Sequence, residues 1–227
     1  MKFLTSAVVF MILLAGCANK SVQPLPEDQH ASLKGKHFDI IHYDAPLEPF
    51  VMTPGKALFF GFTGLIGGVL YAASDTAVHE NELPSTPSHF VSTDLAKMLS
   101  NENQMVWTTH PSIIFTDPID SVPESYKDVD YVIDIRDKVW SVNYYRTHWG
   151  SYKVMYEAQL KVYDVRANRI IGESYCEFDP EYTDDAPDYD SLFENNAIGL
   201  KNYSEALFKR CADQFYSDLF GARPAGS

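Results

Sequence analysis

Strict alternation between residues 152 and 162 limits the fold of this chain more than any other feature. Tyr152, Val154, Tyr156, Ala158, Leu160 and Val162 share one parity, and Lys153, Glu157, Gln159 and Lys161 share the other. A period of two lays the first set on one face of an extended strand, which a helix cannot do. Upstream, residues 130–145 are rich in β-branched and aromatic side chains. There Tyr131, Ile133 and Ile135 have one parity and Trp140, Val142 and Tyr144 the other. A strand that changes face midway needs an extra residue, so a bulge is expected near Asp137-Lys138. Downstream, Arg166-Ala167-Asn168-Arg169 reads as a hairpin loop, with Asn168 able to turn left-handed, and residues 170–178 read as the return strand. Three such strands make an antiparallel meander with one face covered and one wet.

The cover is expected from the C-terminus. Ser191-Leu192-Phe193-Glu194 matches a capping box, in which the Ser191 hydroxyl accepts from the Glu194 amide. The helix it opens runs to about Phe220, with Phe193, Ala197, Leu200, Leu207, Cys211 and Phe215 on one face and Gly221 and Pro224 beyond its end. Cys176 shares parity with Ile170 and Phe178, and Cys211 lies on the inner face of the helix. A helix laid across the meander therefore brings Cys176 and Cys211 together, and a disulfide between them is expected. The first half is less regular. Residues 37–43 read as a short strand, and Pro46, Pro49 and Pro54 force a loop or extended segment. Ser74 to Ser88 reads as a loop. Ser92-Thr93-Asp94 offers N-caps for a short helix bearing Leu95, Met98 and Leu99. Met105-Val106-Trp107 reads as a short strand, and Pro111 to Pro123 as irregular chain. The class is α+β: an antiparallel meander of three or more strands, covered on one face by a long C-terminal helix. This element order is similar to that of the small α+β domains of several envelope accessory lipoproteins.

Residues 3–15 form an apolar run behind the basic Lys2, too short to span a bilayer and of the length of a signal-peptide core. It ends in Leu14-Ala15-Gly16-Cys17. That tetrad resembles the lipobox of bacterial lipoproteins, a resemblance confined to the first two dozen residues. It implies cleavage before Cys17 and acylation of Cys17, and Ala18 in the following position implies the outer membrane, periplasmic face. The expected organisation is a signal peptide at 1–16, a lipidated cysteine and flexible tether at 17–35, a single α+β domain at 36–221 and a loose tail at 222–227. A plain secretory signal is the alternative reading. With Cys17 lipidated, Cys176 and Cys211 are left as a pair in an oxidising compartment, where pairing is the rule.

The net charge of -13 argues against nucleic acid and against docking to anionic lipid through a basic patch. Membrane attachment then falls to the acyl chains. One stretch remains unassigned: Ala57–Ala73 carries no charge and has glycines at 61, 64, 67 and 68. It is a core helix or hairpin, a membrane-contacting segment, or an oligomerisation face, with small residues spaced for close backbone approach.

Catalytic patterns are missing from the sequence. No G-x-S-x-G, S-x-x-K, P-loop or H-E-x-x-H occurs, and His37, His42, His79 and His89 lack zinc-ligand spacing. No cofactor and no metal are expected. Asp184, Asp185, Asp188 and Asp190, in the acidic loop Asp179–Asp190, read as a solvated loop before a helix N-terminus, with a calcium site as the alternative. The candidate binding surface is Tyr145, Arg146, His148 and Trp149, where aromatics and a cation gather at a strand connection and suit a sugar, a peptide or a partner protein. The competing reading folds Tyr144, Trp149 and Tyr152 inward as a cap on the core. The function expected is that of a non-enzymatic, periplasm-facing outer-membrane lipoprotein that binds or supports another envelope component, either a protein or peptidoglycan. The alternatives are a periplasmic hydrolase of an envelope polymer and a membrane-inserting or oligomerising protein that uses Ala57–Ala73.

Overall fold

The computed structural model describes residues 22–30, 32–43, 47–58, 86–110, 114–115, 119 and 121–221. Its frame is one long hairpin, β6 (Tyr131–Tyr145) and β7 (His148–Asp164), continued by β8 (Arg169–Phe178) as an antiparallel meander. The alternation of β7 is realised in full. Tyr152, Val154, Tyr156, Ala158, Leu160 and Val162 are all buried in the main core, and the intervening residues are half-exposed. The bulge falls where the parity switch demands it. Asp137 pairs with Ala158 and Val139 with Glu157, so Lys138 is the extra residue. It lets Ile133 and Ile135 below, and Trp140 and Val142 above, face the same core. Asn168 in the β7–β8 turn has φ 47°, as expected.

The sheet is larger than the meander, and it is mixed. Two short strands, β1 (His37–Ile40) and β3 (Phe50–Met52), pair in parallel with the lower and upper halves of β6, and β4 (Val106–Trp107) pairs in parallel with β1. The path order is β4-β1-β6-β7-β8, and β2 (His42–Tyr43) pairs separately with β5 (Ile114–Phe115). Two helices cover one face: α1 (Pro87–Glu102) and α2 (Tyr189–Phe220). Phe208 lies at their junction with the sheet, its ring centroid 4.8 Å from Tyr156, 5.7 Å from Trp140 and 6.1 Å from Phe90. The Trp140 indole N–H donates to Ser204 Oγ at 3.1 Å, which satisfies a buried polar atom. The disulfide joins Cys176 of β8 to Cys211 of α2, with Cα atoms 5.4 Å apart, and so fastens the helical layer to the sheet. Closing a loop of that separation stabilises by about 3–4 kcal/mol in the chain-entropy picture.

Three expectations are corrected. First, α1 begins at Pro87 and not at Ser92–Asp94. A proline at the first helical position has no N–H to lose, so Pro87 starts the helix where it was read as part of a loop. Thr86 makes no side-chain cap. The free Ser88 N–H instead donates to Asp137 Oδ2 at 3.0 Å, from the bulge in β6. Second, α2 opens one turn earlier than the capping box implied. Asp188 is the N-cap, with Oδ1 accepting from Ser191 N–H at 2.8 Å, and Ser191 Oγ donates to the Asp188 carbonyl. The helix is also broken by Asn195, Asn196 and Ala197, at φ 49°, 64° and 55°, all left-handed. Third, the expected tether does not run free to Gly35. Leu25 and Leu33 are 4% and 2% exposed, and Gln23 bridges Glu173 on the outer edge of β8. Two apolar anchors and a main-chain bridge outweigh what Pro24 and Pro26 suggested. Of Ala57–Ala73, residues 59–73 lie outside the described residues. A helical turn at 54–58 leads into the stretch, with Leu58 55% exposed.

The break in α2 depends on Gly199. A Cβ at this position would sit on the Ser191 carbonyl oxygen and 3.0 Å from Leu192 Cα. In an open helix Gly→Ala gains up to ~1 kcal/mol. Here Gly199→Ala is expected to cost roughly 1–3 kcal/mol. Urea unfolding reads the sign, with Ile198→Ala, 48% exposed, as a control expected within ~0.5 kcal/mol of wild type. A gain in stability would show that the two helical segments do not touch there.

Candidate binding surface at the hairpin tip

The β6–β7 hairpin outruns its cover. Tyr152 is buried and Tyr144 is half-buried against the core, as the inward reading requires. Beyond them Arg146, Thr147, His148 and Trp149 are exposed, and Tyr145 is half-exposed. The structure thus divides the two readings of this segment: Tyr144 and Tyr152 pack inward, while Trp149 stands 59% exposed. That ring is held in place, because its Nε1–H donates to the Arg146 carbonyl at 2.8 Å across the turn. An exposed indole with its one donor already engaged presents a fixed apolar plate.

The acidic loop between β8 and α2 builds the other side of the surface. Tyr182 stacks on His148 with centroids 3.6 Å apart and planes 2° from parallel, and it meets Tyr145 edge-on at 5.3 Å. The Tyr145 hydroxyl donates to the Pro180 and Glu181 carbonyls, each at 3.1 Å. Burial, then the nearby Asp179, raises its pKa and keeps it a neutral donor. Lys153 pairs with Asp179 and lies 5.6 Å from the Tyr145 ring centre. Further along, Tyr152 N–H donates to Pro187 O at 2.7 Å, and Tyr189 packs on Phe193 with centroids 4.5 Å apart. The loop is therefore stitched to β7. Its carboxylates are put to separate uses: Asp179 on Lys153 and Asp188 on the start of α2, where the Ser191 N–H lowers the Asp188 pKa. Among the described residues no three carboxylate, imidazole or thiolate groups converge as a metal cage.

Sequence reasoning missed Tyr182. It lies in a loop read as solvated charge, and the signal was an aromatic set among acids. It also missed a second cluster, on the sheet face away from the helices. Asp39 on β1 is fully buried. Its Oδ1 accepts from Ile40 N–H at 2.7 Å, and its Oδ2 accepts from His110 N–H at 3.0 Å and lies 2.5 Å from His110 Nδ1. His110 Nε2 is 3.2 Å from Asp128 Oδ2, and its ring meets the buried Tyr126 at 5.2 Å. Among the described residues the Tyr126 hydroxyl has no hydrogen-bond partner, and burial, aided by Asp39, pushes its pKa up to about 12. The partners of His110 are 71 and 18 residues away in the chain, so no local pattern announces them. Both ring nitrogens face carboxylates. The imidazole thus clasps the chain after β4 onto β1.

No protein-family model matches the chain, and no curated protein matches it. Among solved structures, the chain aligns with the hypothetical protein CT253 from Chlamydia trachomatis at 12% identity and a TM-score of 0.42, over 81% of this chain and 96% of that one. It also aligns with a PelC dodecamer from Paraburkholderia phytofirmans at 9% identity and a TM-score of 0.36, over 82% of this chain and 89% of that one. Overlays this loose carry no argument about function.

The hydrogen bond to Asp39, and secondarily Asp128, raises the His110 pKa above 6.5 against a smaller opposing effect of burial. A group whose pKa rises on folding stabilises fully below its unfolded value and loses that contribution as pH climbs through the folded value. The His110 contribution should therefore be lost as pH climbs above about 6.5, and His110→Gln should remove that component of the pH slope. His42, whose pKa burial lowers, contributes with the opposite sign in both proteins and cancels in the comparison. Urea midpoints across this range check it, and equal slopes would show that His110 is not clasped by the carboxylates.

Proposed function

We propose that the chain is a non-enzymatic lipoprotein of the outer membrane that faces the periplasm. In this reading it presents the β6–β7 hairpin tip to another envelope component, a protein or peptidoglycan. One observation supports the binding role above the rest: Trp149 is 59% exposed and its indole is pinned by its own turn. Ordering an aromatic contact before binding removes part of the entropic cost of association. The Leu14–Cys17 tetrad supports the anchor. No helix among the described residues is long and apolar enough to cross a membrane. In this reading the acyl chains on Cys17 make the attachment.

The test is photo-crosslinking from the native envelope, with the crosslinker at Trp149 and, as a control, at Lys97 on the exposed side of α1. A specific adduct at 149 and none at 97 is expected. Trp149→Ala should weaken capture at least about tenfold without changing thermal stability. Equal adducts at both positions would sink the binding role. Cys17→Ser should release the protein from membranes, and a variant that stays membrane-bound would sink the anchor.

A further inference from the structure

The segment expected to be a free tether is docked on the body, and this changes how far the body can move from its anchor. Gln23 N–H donates to Glu173 O at 2.8 Å, and Glu173 N–H donates back to Gln23 O at 2.9 Å, a two-way main-chain bridge on the outer edge of β8. Leu25 fills the space over Gly172: a Cβ there would lie 3.2 Å from Leu25 Cδ2 and 3.4 Å from Leu219 Cδ2. The Tyr131 hydroxyl lies 2.6 Å from Gln29 Oε1 and donates to it, and Leu33 is 2% exposed. Residues 22–33 are thus held at four points along their length.

We infer that this docking makes the anchor a short leash, holding the β8 edge close to the phospholipid headgroups of the bilayer. The inference rests on the lipid-anchor reading of Cys17. Cys17 and Gln23 are six residues apart, so whatever path the chain takes between them it reaches at most about 20–22 Å. Were the chain free to Gly35, the same rule would allow about 60 Å. The first reach is smaller than the body itself, and the second exceeds it. A position for the hairpin tip follows. Lys161 pairs with Glu173, and Trp149 lies twelve residues earlier on β7, about 40 Å of strand away. The leash cannot span that distance, so the lipid and the aromatic tip are kept apart. The tip addresses partners away from the anchor point.

The experiment uses the full lipidated chain in vesicles of phosphatidylethanolamine and phosphatidylglycerol. A fluorescent amino acid replaces the exposed Arg169 at the start of β8, and the acceptor dye is on lipid headgroups. Strong energy transfer is expected. It should fall by roughly half or more when fifteen Gly/Ser residues are inserted between Cys17 and Val22. Leu25→Asp, which undocks the segment but adds no residue, should fall likewise. Equal transfer in all three proteins, with all three floating with the vesicles, would overturn the leash alone. Failure of the wild type to float would overturn the anchor reading and the leash with it. Hydrogen exchange gives an independent arm: fast exchange of the Gln23 and Glu173 amides in the wild type would overturn the docking itself.

Discussion

Pairing between β6 and β7 is the interaction on which the rest of this molecule depends. The two strands match over almost their whole length, from Tyr131 opposite Asp164 to Tyr144 opposite Tyr152. Every other layer is built on that ribbon. β1 and β3 add to the free edge of β6, β8 adds to the free edge of β7, and both helices lie on the face made by Ile133, Ile135, Trp140, Val142 and the even residues of β7. A two-stranded ribbon alone is marginal in water. It becomes a stable frame here because one face is buried under helices and the other, at its lower end, under the chain around Ile119, Tyr126 and Val129.

The bulge at Lys138 links strand geometry to helix placement. It turns Asp137 into a half-buried carboxylate held by the Tyr156 hydroxyl at 2.5 Å and by the Ser88 N–H at 3.0 Å. Burial raises the pKa of Asp137, and these two donors oppose the rise. The carboxylate thus serves as the missing N-cap of α1, supplied from the sheet. On the other side of the core, the Cys176–Cys211 bond does for α2 what Asp137 does for α1. Both helices are thus fixed to the sheet by polar or covalent bonds, α2 also through the Trp140–Ser204 hydrogen bond, and the apolar contacts around Phe208 fill the space between them.

The same hairpin that carries the core carries the proposed surface. β6 and β7 are longer than the helices that cover them, so the strands end in solvent with their last aromatics unburied. The loop Asp179–Asp190 then packs Tyr182 against His148 and Tyr145. Tyr145, Arg146, His148 and Trp149 could be singled out from residue type and position alone. Tyr182 could not, because its role depends on where a loop 34 residues after His148 returns in space. The Asp39–His110–Asp128 cluster was invisible for the same reason. An alternation pattern shows which way Asp39 points but not what waits there.

Local, periodic features were determined by the sequence itself. These are the strand parity of 152–162, the bulge at Asp137-Lys138, the left-handed Asn168, the end of α2 before Gly221, and the inward aim of Cys176 and Cys211. Each follows from backbone sterics or from a repeat that a few neighbouring residues impose. Tertiary structure decided what depends on partners far along the chain. The short strands β1 and β4 could be read from residue type, but β3 could not, and which edge each of the three joins in parallel was set by the rest of the sheet. Pro87 reads equally well as loop or helix start until Asp137 accepts the next N–H. The prolines at 24 and 26 suggest a tether until Gly172 leaves room for Leu25. A short segment lacks enough internal contacts to offset the entropy of ordering it, so its conformation is set by the surface it lands on.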